Sequence, residues 1–216
     1  VIAVTTPTND NTSSYTFSST ETGSITYGGS CSSSTTSATQ DNNTITFNAL
    51  ADGTYINCEI AVTDNASNKS DNLSVNSFTI DTIIPVLAQV TAVSTPTKDN
   101  TPDYIFSATK PGTITYAGGC SSSSETNATT DNNTVTFNAL SDGIYANCTV
   151  KVTDNATNQS NTLSVSSFTI DTVRGYVERL EGAELFCLIG ADHVPTLPQW
   201  REAEALAPLV TFVVVP

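Results

Sequence analysis

Apolar and polar residues alternate in short runs along residues 1–172. The runs are rich in β-branched and aromatic residues, and a period of two in such residues is typical of half-buried β-strands. In the first half of this region the runs cover residues 15–17, 24–27, 44–47, 56–63 and 73–80. Clusters of Asp, Asn, Gly and Pro separate them, at residues 7–11, 41–43, 51–53 and 64–71, and these clusters predict turns. The pattern therefore predicts an all-β region without helices.

The pattern is present twice. Residues 27–31 (YGGSC) match residues 116–120 (YAGGC) at an offset of 89, and residues 41–58 match residues 131–148 at an offset of 90, after one insertion near Gln40. A repeat of this length is one small domain. About seven short strands in ~88 residues, with turns at regular spacing, predict an immunoglobulin-like β-sandwich.

The predicted fold is therefore two tandem immunoglobulin-like β-sandwich domains followed by a short α/β-like C-terminal segment. The predicted boundaries are 1–82 for the first repeat, 83–92 for the linker and the first strand of the second repeat, 93–172 for the second repeat and 173–216 for the C-terminal segment. Pro85 restricts its own backbone and favours an extended conformation at Ile84, so we expect a short, stiff linker. Residue 1 already lies within a strand pattern, which suggests a piece of a longer protein.

Charge excludes two classes of partner. The chain has 21 acidic and 7 basic residues, and its formal net charge is −14. Such a surface repels polyanions, so we expect no nucleic acid partner and no insertion into membranes.

The cysteines of the repeats occupy matching positions. Cys31 and Cys58 lie 27 residues apart, and Cys120 and Cys148 lie 28 residues apart, with no His beside them. This arrangement favours one structural disulfide per domain over a zinc site. Disulfides used in this way indicate an oxidising compartment, and the sequence therefore predicts an extracellular or cell-surface location.

Other polar residues offer weaker candidate sites. Oxygen-bearing side chains cluster in one loop of each repeat: Asp64, Asn65, Asn68 and Asp71, and then Asp154, Asn155, Asn158 and Asn161. Calcium binds such clusters, but the spacing of an EF-hand is missing and Asp/Asn turns explain the same residues. We therefore predict no cofactor and no metal site, with Ca²⁺ in these loops, or between domains at Asp81 and Asp171, as the alternative.

The residues of the repeats also bear on catalysis and on sugar binding. The repeats contain no His, so they cannot supply a Ser-His-Asp triad. Tyr27, Tyr55, Tyr116 and Tyr145 stand before a Gly-rich turn or a Cys, in matching places. Stacking of these rings on sugars is one interpretation, and a place in the core or at a corner of the sandwich is the one we favour.

Residues 1–172 resemble the bacterial Ig-like repeats of very large secreted and cell-surface proteins. The matching motifs are TPTKDNTPDYIFS (95–107), the aromatic-Gly-Gly-x-Cys segment, FNALxDGxYxNC, VTDNATNQS (152–160) and the linker FTIDTIIP (78–85). The resemblance implies adhesins or surface fibres built from tandem modules, and it brings no catalytic residues. It also implies the partners: neighbouring Ig-like modules, copies of the chain itself, or a host receptor or glycan.

The C-terminal segment has a different composition, since all three arginines, the only Trp and the only His lie there. Its pattern predicts a helix over residues 171–180, a buried strand over 184–189, an amphipathic helix over 197–207 and an apolar strand over 209–215. Cys187 is expected to be a buried thiol of the first of these strands.

Residues 169–216 resemble an interior part of bacterial nicotinate-nucleotide adenylyltransferase, through TIDTVR (169–174), residues 184–207 and LVTFVVVP (209–216). In that family the residues matching Gly190, Ala191, Asp192 and Trp200 help to hold the pyridine nucleotide. The family also needs paired histidines for the ATP phosphates, whereas this chain contains one His. The sequence therefore predicts no adenylyltransferase activity and no enzyme.

The main functional prediction is a structural and adhesive array that forms an extracellular stalk or fibre on a bacterial surface. One alternative is a filament subunit in which a terminal strand completes the sheet of a neighbour. The other is a nucleotide-binding fragment of an adenylyltransferase, which would rest on the C-terminal segment alone.

Overall fold

The computed structural model describes residues 1–171, 184, 186–199, 204 and 207–215. Two compact units share these residues. Unit 1 contains Val1–Val86, Thr109–Thr113 and Val152–Asn161, and unit 2 contains Leu87–Ala108, Ile114–Lys151 and the described residues of Thr162–Pro216. Each unit includes segments of more than one predicted domain, and the domain boundaries given above stay a prediction.

The first repeat folds into short antiparallel strands. Their bounds are β1 Ser14–Ser19, β2 Gly23–Gly28, β3 Ser37–Ala38, β4 Asp41–Thr46, β5 Gly53–Tyr55, β6 Glu59–Asp64, β7 Leu73–Ser74 and β8 Phe78–Ile80. One sheet has the order β3-β2-β6-β7, while β1 pairs with β4 and β5 pairs with β8. The predicted run at 56–63 starts as a strand only at Glu59, and the run at 73–80 is divided between β7 and β8.

The second repeat has the same strands and one more. They are β9 Leu87–Thr91, β10 Asp103–Ala108, β11 Gly112–Ala117, β12 Asn127–Ala128, β13 Asp131–Thr136, β14 Gly143–Tyr145, β15 Thr149–Thr153, β16 Leu163–Ser164 and β17 Phe168–Ile170. The sheet orders are β12-β11-β15-β16, β13-β10-β9 and β14-β17. The predicted all-β, immunoglobulin-like fold class is confirmed, and no helix occurs within residues 1–171.

Aromatic side chains fill the interior of each repeat. Phe47 stacks between Tyr15 and Phe78 at ring distances of 6.5 and 5.8 Å. In the second repeat, Phe137 stacks between Tyr104 and Phe168 at 6.0 and 6.2 Å. All six rings are almost completely buried. Because strand side chains alternate between faces, these aromatics come from the inward positions of the predicted period-two runs.

The described part of the C-terminal segment contains a parallel pair of strands, β18 Phe186–Gly190 and β19 Thr211–Val215. A 3-10 helix, Ala191–Gln199, follows β18. Two strands are therefore present as predicted, but Phe186 and Leu188 are 59% and 71% exposed, so β18 is not the buried strand we expected. The prediction that Cys187 is a buried thiol is likewise wrong, because this free cysteine is half-exposed.

The predicted helices of this segment are mostly not tested. The helix over residues 171–180 lies outside the described residues, apart from Asp171. Leu197–Gln199, where the second helix was expected to begin, belong to the 3-10 helix, which contains Pro195 and Pro198. Proline removes backbone donors and disfavours a regular α-helix, which explains this difference. No helix in the described part of the chain is long and apolar enough to cross a membrane.

Candidate functional site

The cysteines of each repeat lie close together in the interior. Cys31 is bonded to Cys58 and Cys120 to Cys148, with Cα–Cα distances of 5.2 and 5.3 Å. All four residues are buried. The backbone carbonyls of Cys58 and Cys148 accept hydrogen bonds from Val75 and Val165, so each bridge is also tied into the sheet. These contacts make the cysteines part of the framework of each sandwich.

The four tyrosines singled out by the sequence hold loops of the sandwich. Tyr55 and Tyr145 stack on Phe78 and Phe168 at 5.3 and 5.2 Å. Their hydroxyls donate to the backbone carbonyls four residues upstream, each at 2.9 Å. The hydroxyls of Tyr27 and Tyr116 donate to loop carbonyls at 2.5 and 2.6 Å. All four rings are half-buried, and the upstream hydrogen bonds of Tyr55 and Tyr145 resemble the bond of a tyrosine corner.

A cluster of polar side chains gathers around Lys110 in unit 1, and we call Asp81, Lys110, Asp154 and Asn158 the Lys110 cluster. The Nζ atom of Lys110 lies 2.6 Å from Oδ2 of Asp81 and 2.5 Å from Oδ2 of Asp154. It also donates to the carbonyl of Ile83 at 2.7 Å. Asn158 Nδ2 donates to the carbonyl of Asp81 at 2.8 Å. The cluster thus fixes the start of the linker to the turn before β11 and to the loop after β15.

Burial makes this cluster electrostatically sensitive. The side chain of Asp154 is 3% exposed. Burial by itself would raise the pKa of that carboxyl, but the bonds from Lys110 and Asn158 hold the pKa below its usual range. Burial would similarly lower the pKa of Lys110, but Asp154 and Asp81 raise it. Both groups are therefore held in their charged forms.

The loops proposed as alternative calcium sites use their carboxylates internally. Asp64 Oδ1 accepts from the backbone amides of Ala66 and Asn68, each at 2.8 Å. Asp154 Oδ1 accepts from Ala156 and Asn158 in the same way, each at 2.9 Å. The side-chain amide of Asn68 lowers the pKa of Asp64. The loops are Asx-type turns, as the favoured interpretation of these residues requires.

The remaining loop residues and Asp171 take no part in a common ligand set in the described structure. Asn65 and Asn155 are exposed and adjacent to the turns, and Asp71 is exposed beyond the first turn. The carbonyl of Asn161 accepts the hydroxyl of Ser160 at 2.8 Å. The backbone amide of Asp171 donates to Thr97 at 2.9 Å. Among the described residues no group of three His, Cys, Asp or Glu side chains is arranged to hold a metal ion.

A shallow groove of about 200 Å³ lies on the sheet of the first repeat, lined by Tyr27, Glu59, Lys69 and Asn72 with their neighbours. Oε2 of Glu59 accepts from Asn72 Nδ2 at 2.7 Å. The aligned residues of the second repeat, Thr149 and Gln159 for Glu59 and Lys69, carry no charge. The charged residues that line the groove are therefore not repeated in the second sandwich.

The nucleotide-contact residues suggested for the C-terminal segment are only partly described. Gly190 ends β18 and Asp192 lies in the following 3-10 helix, where its carboxylate Oδ1 is 3.0 Å from Nδ1 of His193. A side chain at Gly190 would clash with the Asp192 carboxylate. Ala191 opens the 3-10 helix, and Trp200 lies outside the described residues.

The Lys110 cluster is the site that the sequence patterns did not predict. Lys110 aligns with Glu21 of the first repeat, while the threonine before and the glycine two residues after both positions are the same. The opposite charges of Glu21 and Lys110 at aligned positions are the sequence signal that could have indicated this cluster.

Comparisons with known proteins give partial likenesses. No family model matches the chain. The chain is 51% identical over 47 residues to a probable nicotinate-nucleotide adenylyltransferase of Shouchella clausii (strain KSM-K16), covering 22% of this chain and 24% of that protein. It is 43% identical over 49 residues to one of Methylacidiphilum infernorum (isolate V4), covering 23% and 24%. The chain thus spans about a quarter of the length of these curated relatives.

Among solved structures, the fibronectin(III)-like modules of Clostridium thermocellum CbhA align with a TM-score of 0.43 at 11% identity, covering 78% of this chain and 93% of that chain. The fold assignment rests on the strands and sheets described above, which place an immunoglobulin-like β-sandwich in each repeat.

Proposed function

We propose that the chain is part of an extracellular structural array in which tandem β-sandwich modules form a stalk or fibre on a bacterial surface, without catalysis. The observation that carries this proposal is the duplicated framework: each repeat has its own disulfide and its own filled aromatic core. The conspicuous tyrosines and Asp/Asn loops hold turns rather than forming an open pocket. Such residues suit a protein that provides length and resistance to unfolding.

The Lys110 cluster supports a spacing role. A stalk needs linkers that keep their direction, and the carboxylate of Asp81 and the carbonyl of Ile83 are both bonded to Lys110. Pro85 adds a restricted backbone at the end of the same linker. We infer that the partners are neighbouring modules or copies of this chain, with a host receptor or a glycan as the alternative.

The test is the location of the protein on its native cells. An antibody raised against the oxidised, folded chain should label intact cells, and protease treatment of those cells should remove the label. A cytosolic marker that survives the protease serves as the control. Label that appears only after the cells are lysed would exclude the proposed location.

A filament subunit is the second candidate, and one observation favours it. Strand β19 pairs with β18, and its residues Val213, Val214 and Val215 are 37%, 50% and 41% exposed. The edge of a sheet in another copy can accept an exposed apolar strand of this kind as an added strand.

If β19 of another copy supplied that strand, the chain would form concentration-dependent polymers. Deleting residues 209–216 would then abolish them, whereas exchange of the exposed Ile56 for Ser would not. A monomer at every concentration would remove this candidate.

The similarity to adenylyltransferases does not lead us to propose enzymatic activity. The matched relatives are about four times as long as the matching segment, and this chain contains one His where that family needs a pair. Titration calorimetry with nicotinate mononucleotide should give no binding heat. Binding that disappears in Asp192→Ala would instead establish a nucleotide site in the C-terminal segment.

A further inference from the structure

A loop of the first repeat has the same geometry as the loop that carries Asp154. Asp64 and Asn68 form a backbone hydrogen bond of 3.0 Å, as do Asp154 and Asn158. Ser67 and Thr157, at the same position of the turn, have φ angles of 71° and 69°. We call Glu21, Asp64, Ala66, Asn68 and Ser70 the first-repeat socket. Its backbone is already in the conformation that the second loop has.

Exposure is what distinguishes the two loops. Asp154, Ala156 and Asn158 are 6%, 1% and 4% exposed, since unit 1 packs around them. The aligned Ala66 and Asn68 are exposed, and Asp64 is half-exposed. A surface that is buried in one copy and preformed but uncovered in the other is suited to bind the same type of element.

The covered loop identifies that element. Within unit 1, Asp81, the residue after strand β8, supplies its carbonyl to Asn158 and its carboxylate to Lys110. The backbone amide of Asp81 donates to the carbonyl of Thr8 at 2.9 Å. Asp171, the residue after β17, donates to the carbonyl of Thr97 at the same distance, so both β-sandwich ends present this aspartate alike. The element that fits the loop is therefore the C-terminal end of a β-sandwich module.

Charge decides which module end fits the first-repeat socket. Beside the loop that carries Asp154, the Lys110 ammonium lies between two carboxylates, those of Asp81 and Asp154. In the first-repeat socket the aligned residue is Glu21, which lies beside Asp64. An arriving aspartate would place a third carboxylate there, and like charges brought together across an interface are repulsive. A lysine or arginine at the end of the incoming module would instead place a positive charge beside the carboxylates of Glu21 and Asp64.

We propose that the first-repeat socket binds the C-terminal end of another β-sandwich module that carries lysine or arginine where this chain carries Asp81. Glu21 is the residue that sets this specificity, and it also prevents the Asp171 end of one copy from binding the socket of another. The inference rests on the proposed array function, because it names the type of neighbour that the array would use.

The full chain offers a charge-exchange experiment that needs no unidentified partner. Self-association would be measured by sedimentation velocity for the wild type and for Asp171→Lys, Glu21→Lys and the double variant. Asp171→Lys supplies the basic end, and Glu21→Lys recreates the arrangement around Lys110, so each single variant should associate at least about tenfold more tightly than the wild type. The double variant places two lysines together and should return to wild-type behaviour. Added salt should weaken the association of the single variants.

Three results would overturn the proposal: an Asp171→Lys variant as weakly associating as the wild type, equal association of all four chains, or association of the wild type only when Ca²⁺ is added. The last of these would identify a bridging cation as the occupant. Intact disulfides and an unchanged circular dichroism spectrum control for folding, and Glu21 is exposed. Failure of this test leaves the labelling of intact cells untouched, so the socket and the array function fail separately.

Discussion

Two tyrosine hydroxyls of the second repeat differ in burial and in hydrogen bonding. The hydroxyl of Tyr104 is buried and has no hydrogen-bond partner in the part of the chain that the structure describes. Burial raises the pKa of Tyr104 to about 12. The hydroxyl of Tyr145 instead donates to the carbonyl of Ser141 at 2.9 Å. Removal of each hydroxyl should therefore change the stability in opposite directions.

We predict that Tyr104→Phe increases the free energy of unfolding by about 1 kcal/mol, since it removes a desolvated hydroxyl and keeps the ring. Tyr145→Phe should decrease it by about 1 kcal/mol, since it removes a hydrogen bond. Urea unfolding of the full chain, followed by a probe of each repeat, gives both values. Destabilisation by Tyr104→Phe would show that its hydroxyl is bonded.

The pH dependence of the same variant gives a second prediction at this scale. The unfolded pKa of tyrosine is about 10, and the folded pKa of Tyr104 is raised to about 12. Ionisation of Tyr104 therefore leaves the free energy of unfolding unchanged below the unfolded pKa. It lowers that free energy as the pH rises from the unfolded pKa towards the folded pKa. Between those values the wild type should lose more stability than Tyr104→Phe does. Parallel pH profiles would contradict the raised pKa.

Single residues also show what the sequence could and could not predict. The four cysteines were found by their matching positions, because two residues per module leave few pairings. Lys110 was not found, because a lysine in a turn is ordinarily a solvated side chain. Its role depends on Asp81 and Asp154, which lie 29 and 44 residues away in the chain, and no local pattern reports such contacts.

At the scale of elements, β4 and β13 show how side chains override a turn pattern. The clusters at 41–43 and 131–133 predict turns, yet they open strands. Asp41 has a φ of 77° and so supplies the left-handed residue of the turn, which Asp tolerates better than most residues. Asn43 then bonds the backbone of Thr39 and Asp41 and allows the strand to start at once. The Asp and Asn residues thus form a turn as predicted, but strand β4 begins at Asp41, three residues before the alternating pattern does.

The Lys110 cluster yields a prediction about the joining of elements. Lys110→Met should lower the free energy of unfolding by about 3 kcal/mol, because it leaves the Asp154 carboxylate buried without its cation. Lys98→Met, at an exposed position of the same repeat, should change it by less than about 0.5 kcal/mol. Equal effects of the two substitutions in urea unfolding would show that the cluster does not stabilise the fold.

Acid should remove the contribution of the same cluster. The folded pKa of Asp154 is lowered, so its stabilising effect is present above the unfolded pKa of about 3.9 and is lost as the pH falls through the folded value. The difference in stability between the wild type and Lys110→Met should therefore shrink below about pH 4. A difference that persists at lower pH would contradict an ionised Asp154.

The disulfides join elements that are far apart in the sequence. Replacing Cys120 and Cys148 together by Ala should lower the stability of the second repeat by about 3–4 kcal/mol, because the bridge closes a loop of 28 residues. The matched double variant at Cys31 and Cys58 should affect the first repeat to a similar degree. A double variant that unfolds at the same urea concentration as the wild type would exclude a structural role for its bridge.

At the scale of the whole molecule, the repeats and the C-terminal segment differed in how far they could be predicted. The repeats bury aromatic cores of their own, so pattern and fold agree in them. Strands β18 and β19 were recognised by their apolar runs, but Phe186, Leu188 and Val214 remain exposed in the described structure. A parallel pair normally has both faces covered by other elements. The apolar pattern indicates that these strands need covering elements on both faces. It does not indicate whether this chain contains those elements.

The central claim, an oxidised extracellular array made of these repeats, is tested most directly by non-reducing mass spectrometry of the natural protein after digestion at glutamate. Cleavage after Glu59, Glu125 and Glu178 yields residues 60–125 with Cys120 and residues 126–178 with Cys148. We predict that protein recovered from the cell surface or the medium gives these two peptides joined by a disulfide. Separate peptides with free thiols, recovered only from inside the cells, would contradict the claim.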